Sequence, residues 1–260
     1  MRNGKLAIVT GASTGIGFEL AHLAAKDGYD LLVVADEPLI NNAADDFKQY
    51  GTEVTSVEAD LGTIEGNDKL LAAANGRPID ALLANAGIGL GHAFVDQNVA
   101  DWRRVIDTNV TGTTYLLHRV AKAMKARNEG KILITGSIAG LMPGSFNAVY
   151  NGTKAYLDSF SYALREELKE TEITVTVLMP GPTETEFFER ADMMDTKVGS
   201  AKKEDPAATA KHGWDAMNSG AGHVVSGWKN KLQAAMSHVI PDSVLAHMHA
   251  NEAKPDSAEK

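Results

Sequence analysis

Tyr150 and Lys154 stand four residues apart, and Ser137 lies thirteen residues before the tyrosine, at the end of an apolar run. A spacing of four puts two side chains one turn apart on the same helical face. An ammonium beside a phenol favours the phenolate. A phenol titrates near pH 10, and bringing it to neutrality takes roughly 4 kcal/mol of differential stabilisation. A partly desolvated cation, together with a positively charged cofactor ring, could supply that. A tyrosine so tuned takes a proton from an alcohol or gives one to a carbonyl oxygen. Ser137 could hold the same oxygen by a hydrogen bond. Tyr-x-x-x-Lys is also the spacing of an ordinary surface pair, so the reading depends on the rest of the chain.

The elements that must position these groups begin at the N-terminus. Lys5 to Thr10 is an apolar strand pattern, followed by Gly11, Gly15 and Gly17 and then by good helix formers up to Lys26. Glycines allow close approach of a pyrophosphate, and the helix start behind them offers unpaired N–H groups and a positive dipole end. The spacing is Gly-x-x-x-Gly-x-Gly rather than Gly-x-Gly-x-x-Gly, but it sits where a dinucleotide fingerprint belongs. A second strand, 30–35, ends in Asp36 and Glu37. A carboxylate there accepts from adenosine ribose hydroxyls, which favours NAD. Against a 2′-phosphate about 4 Å away it costs up to about 4 kcal/mol at an effective dielectric near 20. No Arg or Lys in the glycine turn or just after the strand offsets it. Asp36 is therefore expected to select NAD over NADP.

Further strand patterns occur at 53–58, 79–84, 131–136 and 173–179, alternating with helical ones. Alternation of this kind implies an α/β fold: a doubly wound parallel sheet of about seven strands with helices on both faces. Gly11, Asp36, Asp60, Asn85, Ser137 and Pro180 all fall just after strands, where such sheets bind ligands.

Together these motifs resemble the short-chain dehydrogenase/reductase family, over about Lys5 to residue 228. Its glycine turn matches Thr10, Gly11, Gly15 and Gly17. Its acidic residue after the third strand matches Asp60, its Asn-Ala-Gly matches Asn85-Ala86-Gly87 (with Ala84 where an Asn usually precedes), and its helical Asn matches Asn109. The Ser, Tyr-x-x-x-Lys and Pro-Gly match Ser137, Tyr150, Lys154 and Pro180-Gly181, with Thr183 following. The resemblance implies Tyr150 as general acid/base, and Lys154 as the cation that lowers its pKa and binds the nicotinamide ribose. It implies that Ser137 orients the substrate oxygen, and that Asn109 holds a water linking Lys154 to solvent. Ser13, Thr14, Ile16, Asp60, Leu61, Asn85, Ala86 and Gly87 are implied on the cofactor's adenosine and pyrophosphate side, and Pro180, Gly181 and Thr183 near the nicotinamide. The activity implied is interconversion of a secondary alcohol and a ketone. Family members that act as lyases or epimerases with transient NAD are longer and have another glycine spacing. Non-catalytic dinucleotide sensors commonly lose the Tyr, Lys or Ser.

Composition agrees with one α/β domain: 260 residues, 44% hydrophobic and 23% charged, with no cysteine. A formal charge of −9 argues against non-specific nucleic-acid binding. No membrane span and no export signal are expected, so a cytoplasmic location is. Residues 1–228 read as the catalytic domain, with a lid at about 182–205, and 229–260 as a helical extension and tail whose last residues, from about 252, are expected to be disordered. By the resemblance, Phe187, Phe188, Met193 and Met194 of the lid are pocket candidates. Leu141 and Met142, on the rim after Ser137, suggest that part of the substrate is apolar. His92 reads as a solvated loop residue facing that rim, and Arg190 is the only cation expected near it. His238, His247 and His249 lack a metal-ligand pattern, and no metal is expected. The long helices around 101–127 and 148–169 imply, by resemblance, a homodimer or homotetramer.

Overall fold

The computed structural model describes residues 4–237 and 239–258. Seven parallel strands form the sheet: β1 (Leu6–Thr10), β2 (Asp30–Ala35), β3 (Val54–Glu58), β4 (Ala81–Ala84), β5 (Gly130–Thr135), β6 (Ile173–Met179) and β7 (His223–Val225). Their spatial order is β3-β2-β1-β4-β5-β6-β7. The chain starts in the middle, winds out to β3, returns beside β1 as β4 and winds out the other way. That reversal opens a crevice at the carboxyl ends of β1 and β4, where ligands of such sheets bind.

Every residue of β1, β2 and β4 is buried. Their side chains feed two cores on opposite faces, with Ile8, Leu32 and Leu82 in one and Val9, Leu31, Val33 and Leu83 in the other. The period of two divides each apolar run between the faces. Each Leu or Ile so buried contributes roughly 1.5–3 kcal/mol. Helices α1 (Gly15–Lys26), α2 (Leu39–Phe47) and α9 (Pro206–Asn218) bury Leu20, Ile40, Phe47 and Trp214 in the second core. Helices α3 (Ile64–Ala73), α5 (Thr113–Arg127) and α6 (Ala148–Glu167) contribute Leu70, Leu116, Leu117 and Leu157 to the first.

The segment expected as one helix over 101–127 is divided. Helix α4 (Val99–Ile106) leads through a π-helical stretch, Asp107–Gly112, into α5. A π insertion shifts the register of the helix and often marks a functional position; here it contains Asn109. The lid holds two single turns, α7 (Phe187–Arg190) and α8 (Lys197–Ser200). Asp205 caps α9 through Ala207 N–H at 3.2 Å and Ala208 N–H at 3.3 Å, with Pro206 at the first helical position.

The C-terminal extension holds two helices, α10 (Trp228–Ser237) and α11 (Asp242–Ala253). The disorder expected from about residue 252 does not hold for the described part of the tail. Ala253 is buried against the lid residues Phe188, Ala191 and Met193. Asp195 of the lid accepts the N–H of Asp256 on Oδ2 and that of Ala258 on its carbonyl, both at 2.8 Å.

Candidate active site

The crevice holds a cavity of about 860 Å³ running from the glycine turn to the two C-terminal helices. At one end Gly11 and Gly15 adopt left-handed backbone, φ +63° and +59°, which only glycine takes without strain. A Cβ on Gly17 would lie 2.0 Å from the Gly11 carbonyl oxygen. Gly17 therefore lies behind the turn rather than on the cavity wall and shapes it from there. Thr14 precedes α1 without a side-chain capping bond, which leaves the first N–H groups of that helix for an anion. Ser13, Thr14, Gly15, Ile16, Asp36, Asp60 and Leu61 line this end, and Asn85, Ala86 and Gly87 line its floor. The side chain of Asn85 is taken up by the protein. Its Nδ2 donates to the carbonyls of Thr10 at 3.2 Å and Gly11 at 3.4 Å, and its Oδ1 accepts from Thr135 at 3.1 Å. An open glycine cradle, a free helix start and an acidic strand end fit a dinucleotide.

The acidic pair after β2 has partners not legible in the sequence. Arg104 of α4 donates to Asp36 Oδ2 at 2.8 Å. Glu37 accepts from Ser13 Oγ at 2.6 Å and from Arg190 of the lid at 3.0 Å on both oxygens. These bonds, Ser13 foremost, hold the Glu37 carboxyl below its usual range. Arg190 also pairs with Glu186, so it is not a free rim cation. Lys202 and Lys229 line the cavity as well, correcting the expectation of Arg190 alone.

At the middle of the cavity stand Ser137, Tyr150 and Lys154, with Pro180, Gly181 and Thr183 beside them. Ser137 Oγ accepts from the Ala139 N–H at 3.1 Å and makes a long contact, 3.4 Å, to the Pro180 carbonyl. Lys154 is buried and donates to the Thr135 carbonyl at 2.8 Å, with Nζ 5.7 Å from the centre of the Tyr150 ring. Burial pushes the Lys154 ammonium down to about 8, with Asp158 acting against it. Tyr150 lies deep in the crevice, and burial pushes its hydroxyl well above the ordinary range; a Ser137 hydrogen bond opposes this and Asp158 reinforces it. Among the groups that shift Tyr150, burial is the largest influence and the Ser137 hydrogen bond, rather than Lys154, is what opposes it.

Asn109 is fully buried and does not line the cavity. Its Nδ2 donates to the Ile88 carbonyl at 2.8 Å and to Thr153 at 3.0 Å, and its Oδ1 accepts from Ile88 N–H at 2.9 Å. A Cβ on Gly87 would sit 3.3 Å from this oxygen and 3.4 Å from Lys154 Nζ, so the two side chains flank that glycine.

The far half of the cavity is mostly apolar. Met142, Phe187, Phe188 and Met193 line it, joined by Leu232, Met236, Ile240, Leu245 and Met248 of the C-terminal extension. The Phe187 ring packs on Tyr150 at 4.9 Å. Leu141 faces elsewhere, packing near Ile138, Val177 and Met179, and Met194 is half exposed outside the lining. His92 pairs with Asp192 at 2.8 Å away from this cavity. His238 lies outside the described residues, and His249 Nδ1 donates to the Ser145 carbonyl at 2.9 Å. Among the described residues no group of three or more His, Asp or Glu is arranged to hold a metal.

A family model for short chain dehydrogenases matches residues 5–195. The chain belongs to the short-chain dehydrogenase/reductase family. As such it is an oxidoreductase of a family that uses nicotinamide cofactors. An uncharacterized oxidoreductase of Staphylococcus epidermidis is 32% identical over 196 residues, 74% of this chain and 84% of that protein. The NADP-dependent 3-hydroxy acid dehydrogenase YdfG of Salmonella typhi is 32% identical over 209 residues, 78% of this chain and 84% of its own length. A solved short chain dehydrogenase/reductase of Burkholderia phymatum in complex with NAD superposes with a TM-score of 0.83 over 90% of this chain and 93% of that one. At 23% identity that likeness speaks to fold alone. Among the described residues no helix is long and apolar enough to cross a membrane.

Proposed function

We propose that this dehydrogenase interconverts a secondary alcohol and a ketone with NAD(H), and that the substrate's bulk is apolar. The observation that carries the reading is the meeting of Ser137, Tyr150 and Lys154 midway along one cavity, between a dinucleotide cradle and an apolar chamber. The nicotinamide, when bound, supplies the hydride chemistry. Tyr150 passes the proton to or from the substrate oxygen, and Ser137 holds that oxygen. Lys154 binds the ribose and supplies positive charge near the phenol. Asn109, held across Gly87 from Lys154, supports a water that links Lys154 to solvent. Thr183 serves the carboxamide, and Asp36 the adenosine ribose. Tyr156 and Tyr162 are exposed on α6, which supports association with a second copy through that helix.

Titration with NADH and NADPH tests the cofactor half, with tighter NADH binding expected. Tighter NADPH binding would sink the role given to Asp36. Tyr150→Phe tests the chemistry. Turnover of apolar secondary alcohols should fall by about 10²–10⁴, the range of a lost general acid/base, while NADH affinity stays within about threefold. Retention of most of the activity would remove Tyr150 from its role.

A further inference from the structure

Asp158 follows Lys154 by one helical turn, so Tyr150, Lys154 and Asp158 form a line along one face of α6. Its side chain is buried. Oδ1 accepts the Ser137 N–H at 3.3 Å, and Oδ2 is buried with no hydrogen-bond partner. The loop around the serine is shaped to receive this carboxyl. A Cβ on Gly136 would lie 1.8 Å from Oδ1, and one on Gly140 2.3 Å from Oδ2. A buried carboxyl with one long hydrogen bond is costly to keep ionised, and nothing in the set of Ser, Tyr, Lys and Asn explains its presence.

We infer that Asp158 is a positioning residue of the reaction proposed above: it fixes the backbone of Ser137 from behind and sets the charge carried by Lys154. The inference rests on that reading of Ser137 and Lys154. On α6 the groups that feel Asp158 are Lys154, Tyr150 and Tyr162. From the loop after β5 it meets the Ser137 N–H, and from β6 the apolar Val177 lies beside Gly136. Lys154 is thus its one cationic neighbour among the described residues that shift it. Burial pushes the Asp158 carboxyl up to about 7, with Lys154 and the Ser137 N–H opposing. Ionised Asp158 favours the ammonium of Lys154; its removal lets burial alone act and drives Lys154 further below about 8.

Asp158→Asn keeps the shape and the acceptor for Ser137 but removes the charge. Three profiles against pH decide the matter. In the variant, the alkaline limb of kcat/KM for carbonyl reduction should move down by about one pH unit, because Lys154 loses its proton earlier. NADH affinity should match wild type near pH 6 and fall behind it at pH 8. The third profile is thermal melting. A carboxyl raised in the folded state from 3.8 to about 7 binds protons more tightly when folded, so its contribution to stability falls as pH rises across that window. The melting temperature of the variant relative to wild type should therefore climb from pH 4 to pH 7 and level off above. Superimposable NADH-binding profiles and a constant melting difference would overturn the role. The two non-kinetic profiles decide it even if no alcohol or ketone is turned over, an outcome that would sink the proposed reaction instead.

Discussion

At the scale of single residues, the proposed choice of cofactor turns on the pair formed by Asp36 and Arg104. Arg104 lies within 2.8 Å of the carboxylate that a 2′-phosphate would approach. It partly neutralises Asp36, and it offers the phosphate a guanidinium, the better cation for that geometry. The pair is half exposed, so solvent screens much of its strength. Arg104→Gln should weaken NADPH binding by three- to tenfold while leaving NADH binding unchanged or slightly tighter, as read by fluorescence titration. An equal loss for both cofactors would mean that Arg104 only braces α4. No reading of the chain in order finds this arginine, which sits 68 positions from its partner. The same holds for the Arg190 strap on Glu37 and for the glycines that receive Asp158. Tyr150, Lys154 and Ser137 were legible because their spacing is fixed by one helix and one strand end. The direction of Leu141, which packs near Ile138, Val177 and Met179, is not legible, because a single 3-10 turn is too short to show a period.

At the scale of elements, the six longer strands declare themselves as apolar or alternating runs, from Leu-Ala-Ile-Val-Thr in β1 to Val-Thr-Ser-Val-Glu in β3. The seventh is three residues, His223–Val225, too short for any pattern. The break in the long helix was equally hidden. Its π stretch is Asp-Thr-Asn-Val-Thr-Gly, poor helix formers whose effect on register depends on what packs against them. Here the Ile88 backbone claims the amide of Asn109. The glycine turn can be tested against a control in α6. At Gly17 an added methyl meets the Gly11 carbonyl, whereas at Gly152 it meets nothing within 4 Å. Gly17→Ala should cost about 1–3 kcal/mol, as overpacking does, and weaken NADH binding. Gly152→Ala should stabilise by about 0.5–1 kcal/mol, because glycine is unfavourable inside a helix. Urea melts of the two variants check the sign of each. A neutral Gly17→Ala would mean that the turn relaxes more freely than its contacts allow.

At the scale of the whole molecule, the two ends of the cavity belong to different parts of the chain. The cofactor end is built on strand ends that the two cores hold rigid. The apolar end depends on α10 and α11, which are attached far more lightly. Helix α10 is anchored through Asn230, which donates to Glu204 at 3.1 Å and to the Ser226 carbonyl at 2.7 Å. Helix α11 buries only Leu245 and Ala253 and is tied down by Ser145, which donates to the Ala246 carbonyl at 2.8 Å, and by His249. Its neighbours Val244 and Met248 stay about half exposed. An element with so little buried surface opens at low cost, which suits a wall that would admit the apolar substrate proposed above. Ending the chain after Ile240 removes α11 and the tail but leaves every strand and the Asn230 anchor in place. NADH affinity should then stay within about threefold of the full chain, while KM for an apolar ketone rises at least tenfold, since Leu245 and Met248 no longer close the chamber. If KM is unchanged and NADH binding falls instead, α11 supports the fold rather than the substrate, and the apolar chamber is not where specificity resides.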